Sequence, residues 1–144
     1  MSTEQNKALV RRFLEEVFNQ GKLETADELV APTYLRHGMP TPVPPGPESL
    51  KQSAAAWRRA FPDVHGEVDD LLAEGDRVAY RWTIRGTHQG GFMGATGTGQ
   101  KVTVSGMTFF RFADGQIVET WDMGDMLTLR QQLGLIPSDK TKEG

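Results

Sequence analysis

The sequence predicts an α+β fold in which helices pack on one face of a curved antiparallel sheet. Apolar residues recur at three- and four-residue spacing as far as Phe61, and at a spacing of two from Val64 onward. Two turn signals, Glu74-Gly75-Asp76 and Asp114-Gly115, divide the second half into long hairpins. With 144 residues, 38% of them apolar, the chain reads as one domain over 1–144. A chain of that size buries roughly 68–70% of its unfolded surface, enough for a core around a small-molecule cavity.

The first helix runs from Thr3 to about Gln20. Leu9, Val10, Phe13, Leu14, Val17 and Phe18 share one face, with Thr3 as N-cap and Gly21 as the stop. Leu23 to Val30 repeats the pattern until Pro32 ends it, and a brief extended piece, Tyr34 to His37, follows. Residues Pro40 to Pro47 hold five of the eight prolines and form a rigid loop, with Pro47 preset for the first turn of the next helix. That helix carries a stripe of Leu50, Ala54, Trp57 and Phe61 down to the Phe61-Pro62-Asp63 stop. Strands follow at Val64–Ala73, Arg77–His88, Lys101–Phe112 and Gln116–Asp122, with a glycine-rich loop over Gln89–Gly99. A last helix, Met126 to Leu133, ends at Gly134, and residues 138–144 form a polar, frayed tail.

Composition removes several classes of function. Sixteen basic against nineteen acidic residues give a net charge of −3 with a pI near 5.6, so nucleic acid is not an expected partner. The absence of cysteine excludes disulfides, thiolate metal sites and a cysteine nucleophile. No apolar run approaches the ~20 residues of a membrane span, and the start of the chain lacks the basic, apolar, cleavable pattern of a leader. A cytoplasmic protein is the expectation. His37, His65 and His88 lack metal-site spacing, and no GxSxG, P-loop or dinucleotide fingerprint is present, so no metal and no cofactor are expected.

Chemistry collects at Trp121-Asp122-Met123-Gly124-Asp125, where two carboxylates lie among apolar neighbours. A carboxylate there is costly unless paired, and desolvation moves it toward general acid or base behaviour. Asp125 also reads as the N-cap of the last helix. His37, beside the proline loop, is a candidate acid or donor facing a pocket, with plain packing as the competing reading. Arg81 lies between Ala79 and Thr83 in mid-strand; if that face is covered it needs a partner, and Asp122 or Asp125 is the natural one. Val78, Tyr80, Trp82 and Ile84 would then occupy the outer face and close a homodimer.

The segments RHG, GPESLKQ, W-x-x-x-FPD, EGDRVAYRWTIRGTH-x-G-x-FMG, TGQKVTVSG, FADGQIVETWDMGD and QQLG together resemble the SnoaL-like polyketide cyclases. These form the ester-cyclase group of the nuclear transport factor two-like superfamily, and the resemblance spans about Ala8 to Ile136. It implies a cone-shaped, barrel-like sheet over three helices with an apolar pocket. It also implies cyclisation of a polyketide-like ester by intramolecular aldol condensation, with Asp122 as acid and base, Phe18 as an aromatic pocket residue and Trp57 at a family tryptophan. Where the cyclases carry Gln and His on the preceding strand, this chain has Gly106 and Thr108. The expected catalytic set is Asp122, His37 and Arg81; Phe18, Trp57, Phe61, Val104, Thr108 and Asp125 are expected to contact an apolar substrate. Alternatives are an isomerase or epoxide hydrolase of the same fold, and a module that holds an apolar ligand without turnover.

Overall fold

Ser2, rather than Thr3, starts the first helix: its hydroxyl accepts from Gln5 N–H at 3.1 Å while the Gln5 side chain accepts from Ser2 N–H at 2.8 Å. In the computed structural model, which describes residues 2–136, this helix is α1 (Thr3–Arg12). It widens into a π-helical segment over Phe13–Asn19, where Gln20 N–H reaches back to Glu15 O at 2.9 Å. Tertiary contacts hold that wide turn. Arg58 donates to the carbonyls of Phe18 and Asn19, and the Asn19 amide exchanges two hydrogen bonds with the Gly66 backbone.

After α2 (Glu24–Leu29), β1 (Val30–His37) begins earlier than the predicted Tyr34 and runs through Pro32. An edge strand tolerates a missing N–H, and the register slips between Val30 and Leu35. Helix α3 (Glu48–Ala60) follows the proline loop. The hairpins are β2 (His65–Glu74), β3 (Arg77–Thr87), β4 (Lys101–Ala113) and β5 (Gln116–Gly124), and α4 (Met126–Gln132) closes the fold.

The strand order is β1-β5-β4-β3-β2, with β1 parallel to β5 and the other pairs antiparallel. The sheet is therefore mixed, where an antiparallel one was predicted, and it stays open instead of closing into a barrel. On its inner face Val78, Tyr80, Trp82, Ile84, Val104 and Phe110 are buried against Val10, Leu14 and Leu129. This reverses the face predicted for β3. Alternation separates the two residue sets but does not say which is inside, and Arg81 lies on the outer surface with its guanidinium 3.6 Å from Asp70. The outer face instead displays Leu72, Met107, Phe109, Trp121 and Met123, with Met107 opposite Met123 and Phe109 opposite Trp121. The predicted tail at 138–144 lies outside the described residues, and among those residues no helix is long and apolar enough to cross a membrane.

Asp63, just after α3, ties the helix to the far end of β3 by accepting from Thr87 N–H at 2.7 Å and from its hydroxyl at 2.8 Å. These hydrogen bonds hold the carboxyl below its ordinary 3.8. A lowered folded value means stability that is present above the unfolded pKa and lost as pH falls through the folded one. Asp63→Asn should therefore melt below the parent at neutral pH, with the gap narrowing in acid below 3.8. Thermal melts across pH check this.

Candidate active site

Asp122 projects from the inner face of β5 directly opposite Thr108 of β4, which in turn stands opposite Tyr80 of β3. Its Oδ1 accepts from the Thr108 hydroxyl at 2.8 Å, and that hydroxyl oxygen accepts from Trp82 Nε1 at 3.0 Å. Its Oδ2 accepts from Arg36 Nε at 3.2 Å. Arg36 is itself held by the Ser53 hydroxyl at 2.8 Å and the Ser49 carbonyl at 3.2 Å. The side chains are 12% and 26% exposed for Arg36 and Asp122, so each removes much of the desolvation cost of the other.

Two glycines make this arrangement sterically possible. Gly38 has φ +98, and a Cβ there would fall 2.1 Å from the Asp122 carbonyl oxygen, so the chain leaving β1 can pass the aspartate only without a side chain. Gly106 lies opposite Trp82, whose ring atoms would be 2.3 Å from a Cβ at that position. The indole thus fills the space of a residue-106 side chain and brings its N–H to Thr108.

Beside Asp122 lies a cavity of about 400 Å³. Phe18, Leu50, Trp57, Ile84, Phe92 and Phe110 supply most of its apolar wall, and Ser53, Tyr80, Thr108, Thr120, Arg36 and Asp122 its polar one. Met39, Met93, Met126 and Arg130 also line it. Burial, and secondarily the nearby Asp122 charge, push the Tyr80 phenol above its usual range; burial does the same to Tyr34, whose hydroxyl shares a hydrogen bond with Thr120. Both are neutral at physiological pH. Tyr80, whose hydroxyl lies within hydrogen-bonding reach of Thr108, is therefore a neutral phenol in the cavity wall.

The SnoaL-like polyketide cyclase model matches residues 8–133. The chain belongs to the SnoaL-like polyketide cyclase family. Solved structures agree with the assignment. TsrD from Streptomyces laurentii is 28% identical, with a TM-score of 0.86 over 94% of this chain and 99% of TsrD. AclR from Streptomyces galilaeus, a hydroxylase candidate, is 33% identical, with a TM-score of 0.86 over 99% and 90%. IdmH from Streptomyces antibioticus, a polyketide cyclase candidate, is 35% identical, with a TM-score of 0.76 over 88% and 96%. No curated protein matches the sequence.

In this SnoaL-like chain the predicted residues Asp122, Thr108, Phe18 and Trp57 meet at one cavity, and the others do not. His37 points outward, its Nε2 2.7 Å from Glu119 Oε2 and its ring stacked on Trp121. The Arg36 side chain, one residue earlier, takes the inward position. Arg81 faces solvent across the sheet. Phe61 is fully buried behind Trp57, and Val104 packs in the core opposite Ile84, both outside the cavity wall. Asp125 caps α4, accepting from Thr128 N–H at 3.1 Å and its hydroxyl at 2.6 Å, and those bonds hold its carboxyl below the ordinary range. Among the described residues no group of three or more His, Cys, Asp or Glu is placed to hold a metal ion. Sequence reasoning missed Arg36, Tyr80 and Trp82. Tyr80 shares a row with Thr108 and Asp122 across three strands, Trp82 lies in the row beside it, and Arg36 lies opposite Thr120 on the parallel strand, so only the register of the sheet finds them.

Arg36→Met leaves a half-buried carboxylate without its cation and should cost about 1–3 kcal/mol, less than the ~3–5 kcal/mol of a fully buried pair. Adding Asp122→Asn should return part of that loss, as denaturant melts of the double-mutant cycle will show. Gly106→Ala drives a methyl into the Trp82 ring. It should cost about 1–3 kcal/mol of overpacking and alter the near-ultraviolet circular dichroism of the indole.

Proposed function

We propose that this chain is a cofactor-independent small-molecule enzyme in which Asp122 removes a proton from carbon next to a carbonyl of an apolar, polyketide-like ester. The observation that carries the reading is that Asp122 is the one carboxylate in the wall of the apolar cavity formed by the described residues. Each carboxylate oxygen has two lone pairs, and Thr108 and Arg36 take one each, so acceptor capacity remains toward the cavity. The C–H bond breaks, its proton passes to Asp122, and its electron pair enters the enolate. The enolate carbon then attacks a second carbonyl of the same molecule, a C–C bond forms, and the oxygen of that carbonyl takes the proton back. The Tyr80 hydroxyl supports the enolate oxygen as a neutral donor already in place.

Positioned acid–base catalysis of this kind contributes typically ~10²–10⁴-fold. Asp122→Asn keeps the shape and removes the acceptor, so deuterium exchange at the acidic carbon of an aryl β-ketoester, followed by NMR, should slow by about 10²-fold or more. Asp125→Asn should leave exchange close to the parent. The reverse pattern would move the base to Asp125, and an unfolded Asp122→Asn would make Asp122 structural.

The likeness to AclR favours one second reading, in which the enolate carbon formed by the same deprotonation bonds to dioxygen and the product hydroperoxide keeps both oxygen atoms; oxygen uptake during turnover separates it from ring closure. An Asp122 with no room beside it would favour a non-catalytic ligand module; the cavity adjoining Asp122 supports the enzyme reading instead.

The same proposal includes a cytoplasmic location and a homodimer across the outer sheet face, carried by Met107, Phe109, Trp121 and Met123. These four exposed side chains adjoin in two cross-strand pairs, and a contiguous exposed apolar patch of this kind marks an interaction surface. Light scattering should give twice the 16.0 kDa chain mass, and Trp121→Lys should shift it toward the monomer.

A further inference from the structure

Three charged side chains line the cavity: Asp122, Arg36 and Arg130. The first two satisfy each other, and Arg36 spends further donors on Ser49 and Ser53. Arg130, in the last turn of α4, is exposed at the cavity and has no ion pair or side-chain hydrogen bond among the described residues. The wall thus carries two cations against one anion in a chain whose net charge is −3. A basic residue near a helix C-terminus commonly serves only the helix dipole. This one also borders the space where substrate would lie.

We propose that Arg130 is a specificity-determining residue that receives a carboxylate carried at the outer end of an otherwise apolar substrate. The inference rests on the reading that this cavity holds the substrate. A planar guanidinium with free donors matches a carboxylate bidentately. The inner end of the cavity is a poorer place for the same group, because Asp122 repels an anion and already holds the Arg36 charge. Substrate is therefore oriented with its anionic end outward at Arg130 and its neutral carbonyl inward at Asp122, Thr108 and Tyr80. Met39 and Met93, the exposed methionines of the cavity wall, are unbranched and adaptable, so they grip apolar surface without fixing its position. The charge at Arg130 sets the register that they leave free.

The test compares 2-naphthoate with methyl 2-naphthoate, which share the ring system and differ in charge. Binding to the full chain is read from quenching of Trp57 and Trp82, both of which line the cavity. The parent should bind the acid more tightly than the ester, and added salt should narrow the difference. Arg130→Gln should weaken the acid about tenfold and leave the ester unchanged, while Arg130→Lys retains part of the preference. Equal affinity of the parent for acid and ester, or equal losses of both probes in Arg130→Gln, overturns the proposal. A role confined to the helix would lower the melting temperature without altering the acid-to-ester ratio, which also overturns it. No turnover is needed, so failure here is distinct from failure of Asp122 as base: Asp122→Asn, which lifts the inner repulsion, should bind the acid at least as tightly as the parent even as exchange slows.

Discussion

The ion pair between Arg36 and Asp122 is the constraint around which the molecule is organised. Its partners come from strands far apart in the chain, and only the parallel pairing of β1 with β5 sets Arg36 against Thr120, two residues from Asp122 along β5 and on the same face. Everything that holds β1 in place therefore acts on the site. Gly38 lets the chain turn past the aspartate, and α3 presents Ser49 and Ser53 to the far side of the guanidinium. A half-buried carboxylate without that cation would face desolvation alone, and the neighbouring hydroxyls would be its whole support.

The second support runs across the sheet. Tyr80, Thr108 and Asp122 stand in one row over three strands, and Trp82, Gly106 and Gly124 form the row beside it. Two adjoining glycines leave a hollow that one indole fills, and its N–H orients the hydroxyl that faces Asp122. Packing and polarity are thus settled by the same side chain, and the apolar cavity keeps a dry wall next to a satisfied polar cluster.

Much of this was legible in the chain itself. The change of apolar spacing near Val64 separates helices from strands, and the Asp114-Gly115 turn sets the hairpin that carries Asp122. What alternation cannot tell is which side of a strand meets the helices. Arg81 suggested an inward face for its own set, yet Tyr80 and Trp82 bury far more apolar surface, and hydrophobic burial decides the matter. A similar one-residue difference exchanges His37 for Arg36. The parallel β1 pairing was hidden because the strand contains Pro32 and its partner lies some eighty residues away in sequence. The π-helical turn leaves no periodic trace, since its cause is Arg58 and Gly66 elsewhere in the fold.

The fit of Trp82 over Gly106 also restricts how such a site changes over evolutionary time. A polar side chain at 106 collides with the indole unless residue 82 shrinks in the same step, and a smaller residue at 82 alone opens a void and releases the Thr108 hydroxyl. Each single replacement is unfavourable on its own, although the pair is compatible. The two positions are therefore epistatic, and relatives should carry either a large aromatic at 82 with glycine at 106 or a smaller residue with a functional side chain, with few intermediates between them.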